Sequence, residues 1–131
     1  MMRGMMRGMI TVALAAALAA CESAPMQSLQ KLFQSSPGSA TLKTGLRQYD
    51  EGAYAESAKS LNSAIGQGLN DPETANAHKH LAFIHCAANR VAPCREEFRK
   101  ALAVDATLEL APAEAGHPIW GPVFKSVKAG R

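Results

Sequence analysis

A chain of 131 residues, 47% hydrophobic and 19% charged, has the composition of one small globular domain and excludes both a disordered polyelectrolyte and a multi-domain machine. Fourteen Lys and Arg oppose 11 Asp and Glu, a formal charge of +3, and two of those cations, Arg3 and Arg7, stand in the first ten residues. Without them the balance is 12 against 11, or +1, with no basic block left to attract nucleic acid.

Residues 1–20 read as a leader. Arg3 and Arg7 form its positive end, and Met9 to Ala20 is an uncharged run of twelve, long enough for a signal-peptide core and short of the roughly 18 apolar residues a membrane span needs. The run closes in Leu18-Ala19-Ala20-Cys21, which resembles a bacterial lipobox. That resemblance implies cleavage before Cys21, diacylation of its sulfur (palmitate-type chains) and N-acylation of the new terminus, which together exceed the two signals needed for stable anchoring. Glu22 stands where lipoproteins retained in the inner membrane often carry Asp, so the implied address is the outer membrane, facing the periplasm. Residues 21–40, from the lipidated Cys21 onward, read as a polar, flexible tether rich in Ser, Gln, Pro and Gly, able to reach roughly 60 Å if extended. Met26, Leu29, Leu32 and Phe33 are either incidental to that tether or one short amphipathic turn.

The expected folded part is residues 41–128. Leu42, Gly45, Leu46 and Tyr49 lead through Gly52-Ala53-Tyr54 to Ser57, Ala58, Leu61, Ala64 and Ile65, an amphipathic helix, a turn and a second helix. The turn formers from Gly66 to Pro72 follow. The stretch from Ala75 to Leu102 then repeats the plan. His78, Leu81, Ala82, His85 and Cys86 recur at three- and four-residue steps; the segment from Asn89 to Pro93 interrupts; Cys94, Phe98, Ala101 and Leu102 mark one face of the next helix. Superposing Ala64-Ile65 on Ala101-Leu102 places Leu61 on Phe98, Ser57 on Cys94, Tyr54 on Val91, Gly52 on Asn89 and Gly45 on Ala82, at a constant offset of 37 residues. Gly52-x-Tyr54 and the Ala64-Ile65 ending resemble the tetratricopeptide repeat, of about 34 residues, with the extra three accommodated in the Gly66 to Pro72 loop. The second copy departs from that pattern at Asn89 and Ala106, where the turn glycine and the closing proline would stand.

After Thr107-Leu108-Glu109-Leu110 comes Pro112-Ala113-Glu114-Ala115-Gly116-His117, and then Pro118-Ile119-Trp120-Gly121-Pro122-Val123-Phe124. Pro118 and Pro122 forbid one continuous helix, so the expectation is a short turn and then a helix from about Pro122 that caps the last repeat. Trp120, the chain's single tryptophan, is either part of that cap or an anchor for a partner. The expected fold class is therefore all-α: two tetratricopeptide-like hairpins and a C-terminal capping helix.

Cys86 and Cys94 lie near the end of one helix and the start of the next, where an oxidising compartment would permit a disulfide; the alternative is a pair of small buried side chains. His78, His80 and His85 have no i, i+4 partner among themselves, so no metal site is expected, and no cofactor. Glu96 and Glu97 point apart on their helix, no phosphate loop, nucleophile elbow or zinc-protease motif occurs, and no catalytic residues are assigned. Repeats of this family line a concave face with the first helix of each hairpin, which by resemblance assigns partner binding to Lys43, Leu46, Tyr49 and Asp50 from the first copy and to Asn76, Lys79, His80 and Phe83 from the second. Lysines beside aromatics suit an acidic or carboxylate-ended extended peptide.

The lipobox, the tether, two degenerate repeats, the segments HLAFIHC and CREEFRKAL and the tail PAEAGHPIWGPVFKSVK together resemble the small lipoproteins associated with type VI secretion systems, the TssQ type. The resemblance implies an accessory that helps assemble or stabilise an envelope-spanning apparatus, holding periplasmic or envelope proteins and bound to the bilayer through acylated Cys21. A pilotin or outer-membrane assembly lipoprotein is the neighbouring alternative, and a cell-wall-associated accessory the more distant one.

Overall fold

The computed structural model describes residues 35–130, and every element in them is helical. The leader 1–20, the proposed lipidation site Cys21 and the tether as far as residue 34 lie outside the described residues. Six helices follow in order: α1 (Ser39–Asp50), α2 (Tyr54–Gln67), α3 (Asp71–Ala87), α4 (Val91–Val104), α5 (Pro112–Ala115) and α6 (Trp120–Ala129). Helix α1 begins inside what reads from sequence as tether. Gly38 N–H donates to the Gly68 carbonyl at 2.9 Å, and the Asn70 N–H donates to Ser36 Oγ at 3.0 Å. Ser39, itself buried, donates to the Glu73 carboxylate, which with a bond from Ser36 holds that carboxyl below its ordinary pKa. The polar composition of residues 35–40 thus serves hydrogen bonds rather than flexibility.

Helix α3 starts at a capping box, with the Asn70 side chain accepting from Glu73 N–H and the Glu73 carboxylate accepting from Asn70 N–H, and with Pro72 in the first turn where its missing donor costs nothing. Helices α4 and α6 likewise carry Pro93 and Pro122 in their first turns. The C-terminal helix therefore opens at Trp120, two residues before the prolyl ring marks it.

Helices α1 and α2 run antiparallel. Thr41 bonds Gln67 at one end, Gln48 accepts from Ser60 at the other, and between them the buried Ser57 hydroxyl donates to the Gly45 carbonyl at 2.7 Å. A side chain at Gly45 would meet Leu61 Cδ2 at 2.9 Å and Cγ at 3.0 Å, so glycine is what lets the helices close. Helices α3 and α4 form the second antiparallel pair, joined by a Cys86–Cys94 disulfide with 5.2 Å between Cα atoms. Ala82 and Cys94 are fully enclosed at this crossing and Phe98 fills the space beside them.

The two pairs share backbone geometry at an offset of 37. Glu51 N–H to Arg47 O, Gly52 N–H to Tyr49 O, Ala53 N–H to Gln48 O and Ser57 N–H to Ala53 O recur as Ala88 to Ile84, Asn89 to Cys86, Arg90 to His85 and Cys94 to Arg90. Gly52 has φ +78° and Asn89 has φ +60°, the same left-handed turn position. Helices α2 and α4 begin and end 37 residues apart, and α1 and α3 end 37 apart.

Helix α3 lies centrally, packed on α1, α2, α4 and α6. It buries Ala75, Ala77, Leu81, Ala82, Phe83, Ile84 and Cys86, more than one face. His78 and His85, expected on its packed face, are only partly buried, since that face continues through Phe83 and Ile84 to neighbours on either side. Two clusters result: Leu42, Leu61, Leu81 and Ile84 between the pairs, and Phe83, Phe98, Leu102, Phe124 and Val127 between α3, α4 and α6. Tyr49 touches both.

Candidate functional site

The first helices of the two pairs, α1 and α3, meet along a face whose centre is aromatic. The Tyr49 ring packs edge-on against His80 at 5.0 Å between centroids and tilted against Phe83 at 6.3 Å, while His80 meets Phe83 at 5.5 Å. Burial pushes the Tyr49 hydroxyl up to about 12, with Tyr54, Glu114 and Asp50 adding repulsion to the phenolate. Burial also pushes the His80 imidazole below its ordinary pKa; the Asn76 carbonyl opposes this and Lys79 reinforces it. His80 Nδ1 lies 2.9 Å from that carbonyl and donates to it, which leaves a neutral ring with Nε2 as the acceptor.

Of the eight residues assigned to the face by sequence, Tyr49, Asn76, Lys79, His80 and Phe83 come together here. Asp50 lies exposed near Tyr49 and His80, Leu46 packs into the core between the pairs, and Lys43 is exposed further along α1, near Glu73. Leu46 and Asn76 are half-buried. Phe83 departs from expectation: it is only 2% exposed, because the Trp120 ring stacks on it at 4.6 Å and 28°. Lys79 also departs. Its ammonium is not solvated but bonds both oxygens of Glu114, at 2.9 and 3.2 Å, with the two side chains 15% and 24% exposed, and sits 5.7 Å above the Phe83 ring. Trp120 fixes this arrangement twice more, donating Nε1–H to the Glu114 carbonyl at 3.0 Å and stacking on His117. The segment carrying Glu114 and Trp120 therefore covers the half of the face built by α3.

Sequence reading did not assign Glu114, and nothing local identifies it, since its partner lies 35 residues upstream. From sequence, Glu97 stands out only as pointing away from Glu96 on its helix. In the fold it accepts from His78 at 2.6 Å across the α3–α4 pair, and from Lys100 at 3.1 Å. Burial alone would raise the Glu97 pKa, but those two hydrogen bonds outweigh it and hold the carboxyl below its ordinary value. This is a clamp between α3 and α4.

Among the described residues no cluster of three His, Cys, Asp or Glu has the geometry to hold a metal ion. Among them, too, no helix is long and apolar enough to cross a membrane. Chemically, the cation, the neutral imidazole and the aromatic surface of the face are met here by a carboxylate and an indole ring from the chain itself. Scans of protein-family models, of curated proteins and of solved structures return no match to this chain.

Proposed function

We propose that the chain is a non-catalytic interaction module made of two tetratricopeptide-type repeats, anchored by lipid on Cys21 to the periplasmic side of the outer membrane, and serving as an accessory or assembly lipoprotein of a type VI secretion system. The observation that carries the reading is the recurrence of one turn geometry and one helix-pair register at 37 residues, which sets α1 beside α3 and joins Tyr49 to His80 and Phe83 on a shared face. A face made jointly by successive repeats is how such proteins hold an extended segment. The described helices carry only scattered charges around it, which favours a protein partner over nucleic acid.

The test is photo-crosslinking in cells. A photoreactive residue in place of Asp50, beside the face, or of Lys43, further along α1, is expected to trap an envelope protein of the secretion apparatus; the same residue at Lys59 or Glu96, exposed on α2 and α4, is expected to trap none. Equal labelling from all four positions removes the face from the reading. In parallel, Cys21→Ala is expected to leave an unprocessed or soluble form absent from the membrane fraction, and its unchanged recovery there removes the lipid anchor.

A further inference from the structure

The stretch from Ala111 to Ile119 is attached differently from everything around it. Helix α5 buries no residue, and Ala111, Pro112, Ala113, Ala115, Gly116, Pro118 and Ile119 are all exposed. Helix α6, by contrast, is fixed to α4 through buried Phe124 and Val127 and an edge-on contact between Phe124 and Phe98. The strap is tied to α6 by the Trp120 indole N–H on the Glu114 carbonyl and by His117 stacked on Trp120. Two contacts hold the strap and Trp120, the first residue of α6, to the face. One is the Glu114 carboxylate on Lys79; the other is the Trp120 ring on Phe83.

Lifting these anchors would open a continuous surface of Tyr49, His80, Phe83 and the Lys79 ammonium. Lys79 has no carboxylate partner other than Glu114 among the described residues, so its charge calls for an acid when the strap leaves. Phe83 would likewise expose a ring that only another apolar surface can cover. Resting on the interaction reading above, we infer that the strap is an intramolecular ligand of the face, and that the partner is a protein segment presenting a carboxylate and, about six residues on, a large aromatic ring. The strap and the partner segment then compete for the same two contacts: a charge-assisted pair at Lys79 and an offset ring stack on Phe83. Occupation in cis multiplies the apparent dissociation constant for the partner by the reciprocal of the fraction of molecules whose strap is open.

The probe is a fluorescein-labelled peptide with the sequence APAEAGHPIWGP, residues 111–122, titrated against the full chain and followed by anisotropy. Glu114→Lys repels the strap from Lys79 and is expected to bind the peptide at least about tenfold more tightly than the unaltered chain. Peptides with the glutamate changed to lysine or the tryptophan to alanine are expected to lose that binding. Lys79→Glu alone is expected to bind the peptide whose glutamate is changed to lysine at least about tenfold more tightly than the charge swap Lys79→Glu with Glu114→Lys does, because the swap recloses the strap with reversed signs. Equal affinity for the unaltered chain and a folded Glu114→Lys, or indifference to the peptide's tryptophan, overturns the proposal. Hydrogen exchange on the unaltered chain needs no variant: amides of residues 113–117 are expected to exchange at least about a hundredfold faster than those of residues 123–127. Exchange of both segments at one rate overturns it equally. Crosslinks from Lys43 that Glu114→Lys leaves unchanged remove the strap and spare the face, whereas tight peptide binding without any envelope crosslink removes the envelope assignment and spares the strap.

Discussion

His80 sits where three elements converge, and its protonation is coupled to all of them. Tyr49 and Asp50 face it from α1, Lys79 and Phe83 from α3, and Glu114 from α5. Its folded pKa lies below 6.5 because burial opposes the charge, so the unfolded chain takes up the proton first as pH falls. The stabilisation is complete above 6.5 and is lost progressively as pH drops towards the folded pKa. His85, lowered by burial and by Arg90, contributes with the same sign, while Glu97 enters only below 4.5. The melting temperature is therefore expected to fall between pH 7 and 5, and His80→Gln, which keeps a donor for the Asn76 carbonyl, is expected to flatten that fall. An unchanged slope in the variant would assign the effect elsewhere. Tyr49 provides an independent check on burial of the face: ultraviolet titration is expected to show one of the two tyrosines ionising only near 12, and Tyr49→Phe to remove that late component.

The turns at Gly52 and Asn89 show most directly how local sequence becomes repeated structure. Both residues adopt positive φ, and each is followed by a helix of 14 residues. Glycine takes that conformation freely, whereas a Cβ there costs about 1–2 kcal/mol. Gly52→Ala is thus expected to destabilise by about that amount even though no atom lies within 4 Å of the added methyl, which makes the cost conformational rather than steric. Asn89→Gly is expected to be neutral or stabilising by a few tenths of a kcal/mol, and chemical denaturation of the two variants measures both. The disulfide crosses the second turn and closes a loop between positions separated by eight, so Cys86→Ser with Cys94→Ser is expected to cost about 2–3 kcal/mol, read as a shift in denaturation midpoint. The offset of 37 was legible because Gly52, Ser57, Leu61 and Ala64 each occupy a backbone or packing position that restricts residue choice, and their counterparts obey the same restriction. The start of α1 was not legible. Ser36, Gly38 and Ser39 have the composition of a linker, and their partners, the Gly68 carbonyl and the Asn70–Glu73 cap, lie 30 and 34 residues away. The face was half legible for a similar reason: helical spacing brings Tyr49 and His80 forward, but whether Lys79 meets water or a carboxylate depends on the return path of a chain segment with no periodicity of its own.

At the scale of the whole molecule, two helix pairs leave the outer side of α4 and part of α3 without a neighbour, and α6 supplies it. Phe124 packs edge-on against Phe98 at 5.2 Å and Val127 joins the same cluster, so α6 completes a core that a fold this small cannot afford to leave open. The strap lies in the chain between α4 and α6 but is held by Lys79 of α3 and by Trp120 at the start of α6, while Phe124 and Val127 carry the packing, which is why stability and binding are separable here. Phe124→Ala removes a buried ring and leaves Glu114, Trp120 and Lys79 in place; it is expected to cost about 3 kcal/mol, or roughly 12–24 °C of melting temperature in a domain of this size. Below its lowered transition the variant is expected to bind the acidic, aromatic peptide as weakly as the unaltered chain does, because the strap's anchors are intact. Glu114→Lys gives the opposite pattern, with a small stability change and a large gain in binding, since a partly exposed ion pair contributes at most about 1 kcal/mol. If Phe124→Ala instead raises peptide affinity as much as Glu114→Lys does, strap and α6 move as one body, and the face is opened by release of the whole C-terminal segment.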